Sequence, residues 1–363
     1  MNDLAQTAGR CLLAGFDAGP LLSDLAELLR EDALGGVILF RRNIGDPEGA
    51  LERVSELLRS IHSLSNHSLA PGPLVAVDQE GGRVARLGPP VMWLPPMRTL
   101  GAIDDLGLTR RAANLLGRQL RALGFNCDFA PVLDVDTNPD NPVIGDRSFG
   151  SDAPRVARHG LAFAEGLTEA DVCPCAKHFP GHGDTALDSH FALPSLPHDM
   201  DRLRRVELRP FTEALSIPMW MTAHVIFEAL DPDVPATLSS KVITGLLRED
   251  LGYDGVVASD DLEMKAISEH YGVGDAACRA IEAGCDLLLI CSKLELLHEA
   301  RDALVHRAET RSDFRTRLEE AATRVGALRH RFRLSPEAIE PARAAALGKS
   351  EAEAIEAEIR AVD

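Results

Sequence analysis

Val172-Cys173-Pro174-Cys175-Ala176-Lys177-His178-Phe179-Pro180-Gly181-His182-Gly183-Asp184-Thr185-Ala186-Leu187-Asp188-Ser189-His190 changes character halfway along. Up to Ala176 it is a continuous apolar run, as expected of a parallel strand covered on both faces. From Lys177 it gathers three histidines, two aspartates and a lysine, with Pro180, Gly181 and Gly183 supplying turn chemistry. An apolar strand that opens into a polar loop is the unit from which the fold can be read.

The same kind of run recurs along the chain. Cys11–Gly15, Gly36–Phe40, Leu74–Asp78, Cys127–Val132, Pro218–His224, Gly255–Asp260 and Asp286–Cys291 join Val172–Lys177 to make eight. Amphipathic stretches separate them: Leu21–Arg30, Pro47–Ser60, Leu108–Leu123, Pro154–Glu169, Asp201–Leu215, Ser239–Leu251, Gly274–Ala283 and Leu294–Val305. Gly124, Gly252 and Gly284 each stand where a helix must stop before a strand, a place for left-handed backbone. Eight alternations predict a single-domain (β/α)8 TIM barrel over 1–310. Residues 311–363 are expected as a helical C-terminal extension, packing on the barrel or trailing it. The alternative is a doubly wound open sheet, but no GxGxxG follows an early strand.

A barrel places its chemistry at the C-terminal ends of its strands. There the sequence puts Asp78, Asp134 and Asp136, Lys177-His178, His224 and Ser259-Asp260-Asp261, with Arg86 and Arg147 on nearby loops. Asp260 follows the apolar Val256-Val257-Ala258, so its carboxylate is held rigidly at the barrel mouth, suited to attack on a cationic carbon. The competing reading is a helix N-cap, a role that fits Asp261 better, at the head of a helix over Asp261–Ser268. Asp188 stands two residues from His190. In an extended segment both point the same way, and the carboxylate can fix the imidazole tautomer to make a general acid/base; the bland alternative is an unpartnered surface pair. His224 reads equally as a wall residue or a catalyst. Arg86, Arg147 and Lys177 can bind hydroxyls or a carboxylate, and Asp78 can accept from a pair of hydroxyls. His182 and Asp184 are expected to shape the loop.

Composition narrows the function further. With 38 Lys+Arg against 56 Asp+Glu, the formal charge is −18, which repels phosphate backbones and disfavours nucleic acid as a partner. There is no apolar run long enough to span a bilayer and no signal-peptide pattern at the start of the chain. Seven scattered cysteines lack zinc or redox spacing and read as buried thiols in a reducing cytoplasm. A metal is not expected: no HExxH is present, and Lys177 beside the histidines repels a cation. No cofactor is expected either.

The motifs KHFPGHGDTALDSH, VDQEGGRVARL, FAPVLDVD with IGDRSFG, MTAHVIF, VVASDDLEM and AGCDLLLIC resemble, in order over roughly 10–295, the β-N-acetylhexosaminidases of glycoside hydrolase family 3, the NagZ group. The GHGDT-x-x-DSH loop is specific to that branch. The resemblance implies a retaining exo-hydrolase that removes terminal β-linked N-acetylglucosamine, in bacteria from muropeptides during cytoplasmic peptidoglycan recycling. It implies Asp260 as nucleophile, His190 as acid/base with Asp188 as its partner, and Asp78, Arg86, Arg147, Lys177 and His178 as sugar-binding positions. It also implies a small amino-sugar substrate, no metal, and a monomer of the single-domain form. Ala258-Ser259 and Arg41-Arg42-Asn43 depart slightly from the pattern without touching a motif residue. The rivals are a phosphorylase, a metal-dependent barrel hydrolase and a non-catalytic amino-sugar sensor.

Overall fold

The computed structural model describes residues 3–64, 71–189 and 191–361. Eight parallel strands close into a barrel: β1 (Leu12–Ala14), β2 (Gly36–Leu39), β3 (Leu74–Val77), β4 (Cys127–Asp128), β5 (Cys173–Phe179), β6 (Met219–Thr222), β7 (Val256–Asp261) and β8 (Leu287–Ile290). Each pairs with its sequence neighbours, and β8 pairs with β1 through Leu12–Leu288 and its successors. All eight expected runs are strands of this barrel.

Alternation along each strand divides the core in two. Cys173, Cys175, Met219, Met221, Val256 and Ala258 fill the lumen. Residues such as Val75, Val77, Trp220 and Val257 face the helices. Outside β6, Trp220 stacks on Tyr253 with ring centroids 4.2 Å apart and meets Phe179 and Phe211, contacts worth about 0.5–1.5 kcal/mol each beyond their area. All seven cysteines are free and buried.

The outer helices follow the expected spacing with two departures. Asp201–Leu215 is broken into Met200–Arg205 and Arg209–Glu213, because Pro210 has no N–H to bond the Val206 carbonyl and is accommodated only in the first turn of a new helix. Between β6 and β7, Lys241–Asp250 winds with the wider π spacing; Val242, Ile243 and Thr244 are three β-branched residues in succession that crowd a tighter turn. Gly124, Gly252 and Gly284 all have positive φ at the ends of helices.

Past the barrel, Ser312–Arg331 lies against its lower end, where Arg317 and Arg248 pair with the fully buried Asp286 at the start of β8. Pro341–Ser350 packs on Leu106–Leu123, with Gln119 donating to the Ala344 carbonyl. At the upper end, Ser195–Leu196 pairs in parallel with Ile226–Phe227, so the chain leaving β5 is tied to the chain leaving β6. No helix among the described residues is long and apolar enough to cross a membrane.

Candidate active site

The C-terminal mouth of the barrel holds a cavity of about 270 Å³, just below the roughly 300–1,000 Å³ usual for drug-sized ligands. Asp78, Arg86, Arg147, Lys177, His178 and Asp260 all line it. A larger cleft of about 930 Å³ lies at the opposite end, between the strand starts at Pro218 and Gly255 and the Thr316–Arg331 face. It shares none of these residues, and the barrel rule places chemistry at the other rim.

Two strands reach the cavity through irregular pairing. On β7, Ala258 aligns with Leu287 and Asp261 with Leu289, so three steps on one strand span two on the other. On β5, Lys177 aligns with Met221 but Phe179 with Thr222. Each shift inserts one residue, a bulge that re-aims the side chains around it. Asp260 sits on the first bulge and Lys177-His178 on the second.

The β7 bulge is tied on every side. The Asp261 amide donates to Asp260 Oδ1 at 2.8 Å. Asp261 Oδ1 accepts from the amides of Glu263 (3.0 Å) and Cys291 (3.3 Å), so Asp261 seats the loop and caps no helix; the helix here is only Lys265–Ser268. Burial pushes the Asp261 carboxyl up to about 7, with Glu263 and Asp260 adding repulsion and the two amides opposing it. His224 is not among the cavity's lining residues; its Nε2 donates to the Asp261 carbonyl at 3.0 Å while Nδ1 meets Thr237 Oγ1 at 2.8 Å.

Across the cavity runs a chain of alternating charge. Arg86 Nη2 lies 3.1 Å from Asp78 Oδ2, and Lys177 Nζ lies 3.0 Å from Asp78 Oδ1 and 2.6 Å from Glu80 Oε1. Glu80 also takes Arg147 in a two-pronged pair, 2.8 Å on each side. Burial would lift Asp78 and Glu80, but Lys177 with Arg86, and Arg147 with Lys177, outweigh it and hold both below their ordinary values. Burial likewise works against the charge on Lys177, and Glu80 and Asp78 more than restore it. Arg86 Nε is buried with no hydrogen-bond partner among the described residues. Glu80 stands within the VDQEGGRVARL motif, but its sequence neighbours assign it no role. Its signal was available: a carboxylate one step beyond Gln79 on a strand-end loop otherwise rich in glycine and arginine.

Beneath His178 lies a second carboxylate. Asp134 Oδ2 meets His178 Nδ1 at 2.7 Å, and Oδ1 accepts the amides of His178 (3.2 Å) and His182 (2.7 Å). His178 and His182 overcome the burial that would raise Asp134 and keep it ionised. Arg42 also lines the cavity, donating to the Phe16 and Cys291 carbonyls, so one residue of Arg41-Arg42-Asn43 does reach the site.

The loop after β5 is tighter than its glycines suggest. A Cβ on Gly183 would stand 1.9 Å from the Val135 carbonyl oxygen, and one on Gly181 2.9 Å from Glu207 Cβ. These glycines permit close packing and are not slack. His182 is buried, touching Thr185 Oγ1 and Ser189 Oγ; Asp184 binds Thr137 and His198. Both shape the loop. At Asp188 the chain turns where an extended segment was expected: its carbonyl accepts the amides of Phe191 and Ala192, each at 3.0 Å. Asp188 is not among the cavity's lining residues, whereas Ser189 is. His190 lies outside the described residues. Among the described residues, no group of three or more His, Cys, Asp or Glu is placed to hold a metal ion.

Comparison with known proteins finds relatives that share this sequence pattern and this barrel. The family model described as the glycosyl hydrolase family 3 N terminal domain matches residues 18–328. A beta-hexosaminidase of Thiobacillus denitrificans is 37% identical over 343 residues, covering 86% of this chain and 93% of its own. Beta-hexosaminidase A of Pseudoalteromonas piscicida is 37% identical over 287 residues, 74% of this chain but only 47% of that protein. A family 3 β-N-acetylglucosaminidase from Paenibacillus superposes with a TM-score of 0.86 at 45% identity, covering 92% of this chain and 63% of its own. NagZ from Neisseria gonorrhoeae, solved with N-trifluoroacetyl-D-glucosamine, gives 0.72 at 32% identity, with 88% and 97% covered. The chain thus spans about half to two thirds of the longer relatives and nearly all of the shorter ones.

Proposed function

The chain belongs to glycosyl hydrolase family 3, and from that premise we propose that it is a retaining exo-β-N-acetylhexosaminidase. Its substrate is a terminal, non-reducing β-linked N-acetylglucosamine, carried in the cell on muropeptides freed during peptidoglycan recycling. The observation that carries the reading is the meeting, in one cavity sized for a single sugar, of Asp260 on its bulge and the charge chain from Arg86 to Arg147. Relatives named beta-hexosaminidase and a NagZ structure holding an N-acylated glucosamine support the same assignment.

Asp78, Arg86, Arg147, Lys177 and His178 hold the sugar. The Asp260 carboxylate attacks the anomeric carbon as His190, oriented by Asp188, gives its proton to the departing oxygen. The bond to the leaving group breaks and a glycosyl ester forms. His190 then takes a proton from water, whose oxygen attacks the same carbon, breaks the ester and restores Asp260. Two inversions return the β configuration. A histidine acid replaces the second carboxylate of the usual pair.

The test compares Asp260→Ala and His190→Ala on two N-acetylglucosaminides. Asp260→Ala should lose nearly all activity on both. His190→Ala should be crippled on a disaccharide yet retain much of its rate on a dinitrophenyl glycoside, whose departure needs little proton help. Full activity of either variant on the disaccharide, or sugar 1-phosphate as the product in phosphate buffer, would refute the mechanism.

A further inference from the structure

Ser189 stands between the two residues assigned to proton transfer, and it is more buried than Asp188 before it and Phe191 beyond. Ala186 and Leu187 before it are exposed, Asp188 is half-buried, and Phe191 beyond is 69% exposed; Ser189 itself is buried at 2% and faces the sugar cavity. Among the described residues of this outward-facing stretch, 186–191, it is the one buried position.

Two elements hold it there. His182 Nε2 lies 2.9 Å from Ser189 Oγ. The Ser189 carbonyl accepts the Ala266 amide at 3.3 Å, and Ala266 belongs to the short helix that follows Asp260 on the β7 side. His182 is itself immobilised: its amide is bound by Asp134 at 2.7 Å, its carbonyl by Asn141 at 2.9 Å, and its Nδ1 by Thr185 Oγ1 at 2.7 Å. Burial, helped by His178, lowers His182 to about 4, so the ring is neutral at neutral pH. The hydroxyls of Thr185 and Ser189 can each donate or accept, so both contacts survive in either tautomer. The Phe191 and Ala192 amides close on the Asp188 carbonyl, which fixes the backbone at Asp188.

We infer that Ser189 is a positioning residue for proton transfer: latched by His182 from its own loop and by Ala266 from the nucleophile's loop, it fixes the acid/base segment relative to Asp260. The inference rests on the hydrolase reading and adds a residue that reading does not use. Ser189 donates nothing to the substrate in this role. Its hydroxyl registers one arm of the reaction against the other, and a misplacement of about 1 Å between reacting groups costs on the order of 100-fold in rate.

The experiment uses Ser189→Ala and His182→Asn, singly and together, with kcat/KM measured on a disaccharide and on a dinitrophenyl glycoside. Each single variant should lose about 10- to 100-fold on the disaccharide and less than about threefold on the dinitrophenyl glycoside. Because both substrates meet the same preparation, the ratio cancels any loss of folded enzyme. The double variant should lose little beyond either single one, since both remove the same bond. A loss of equal size on both substrates, or no loss on the disaccharide, overturns the latch while leaving the hydrolase standing. A wild-type protein inactive on both glycosides removes the hydrolase reading and the latch with it.

Discussion

Glu80→Gln removes one charge from the centre of the chain that runs from Arg86 to Arg147. In the native protein Glu80 Oε1 receives Lys177 and Arg147, and Oε2 receives Arg147 Nε. A glutamine keeps one acceptor and turns a second donor toward Arg147 Nε. Lys177 still has Asp78, but Arg147, whose side chain is 10% exposed, keeps only neutral acceptors, the amide oxygen at position 80 and the Val143 carbonyl, and has no ion-pair partner among the described residues. Leaving one side of a buried pair uncompensated costs about 3–5 kcal/mol. Over 363 residues, at about 2.1 cal/mol/K each, the unfolding entropy is near ~760 cal/mol/K, so Tm should fall by about 4–7 °C. Because Glu80 is held below its ordinary value, its contribution is present above the unfolded pKa and disappears as pH falls toward the folded one. The gap between wild type and variant should therefore be full at pH 7 and narrow in strong acid. In a chromogenic assay at pH 7, kcat/KM should drop on the order of 100-fold, since Lys177 and Arg147 lose their common anchor. A variant with unchanged Tm and unchanged kcat/KM would show that Glu80 is not what holds these two cations.

Three further outcomes are expected. His62 and His182 are buried and lowered to about 4, so each contributes stability above pH 6.5 that is lost as pH falls toward 4, about 3 kcal/mol apiece; denaturant unfolding at pH 7 and pH 4.5 should show the loss, and replacing either by Gln should reduce it. Gly183→Ala must push a Cβ against the Val135 carbonyl and should cost about 1–3 kcal/mol together with most of the activity; a crystal structure of an active variant with an unmoved Val135 would contradict this. Asp286→Asn, which unpairs Arg248 and Arg317 at the far end of the barrel, should lower Tm by several degrees yet leave KM unchanged, and a raised KM would show that the two ends are coupled.

The barrel was legible because its strands are nearly unbroken apolar runs and its helix stops are glycines, signals that depend on neighbours in sequence. The individual site residues at strand ends were legible for the same reason: once β3, β5 and β7 are placed, Asp78, Lys177 and Asp260 can only be at the mouth. Pairing was not. That Glu80 joins Lys177 to Arg147, or that Asp134 underlies His178, depends on contacts across 67 and 44 residues of chain, which no local pattern encodes. Asp261 was misread as a cap because a carboxylate after a strand offers the same local cue whether it binds the next turn's amides or those of a neighbouring strand. Gly181 and Gly183 read from sequence only as turn residues, because sequence reveals a missing side chain but not the atom that fills its place.

The parallel pairing of Ser195–Leu196 with Ile226–Phe227 gives the stretch that leaves β5 a second fixed end. A piece of chain fastened at both ends to a closed barrel is an exchangeable cassette. Its exposed tip at Ala186-Leu187 can be rewritten or lengthened while strand order, closure and the charge chain from Arg86 to Arg147 stay as they are. The loop and the charge chain become traits that selection, or an engineer, can alter one at a time.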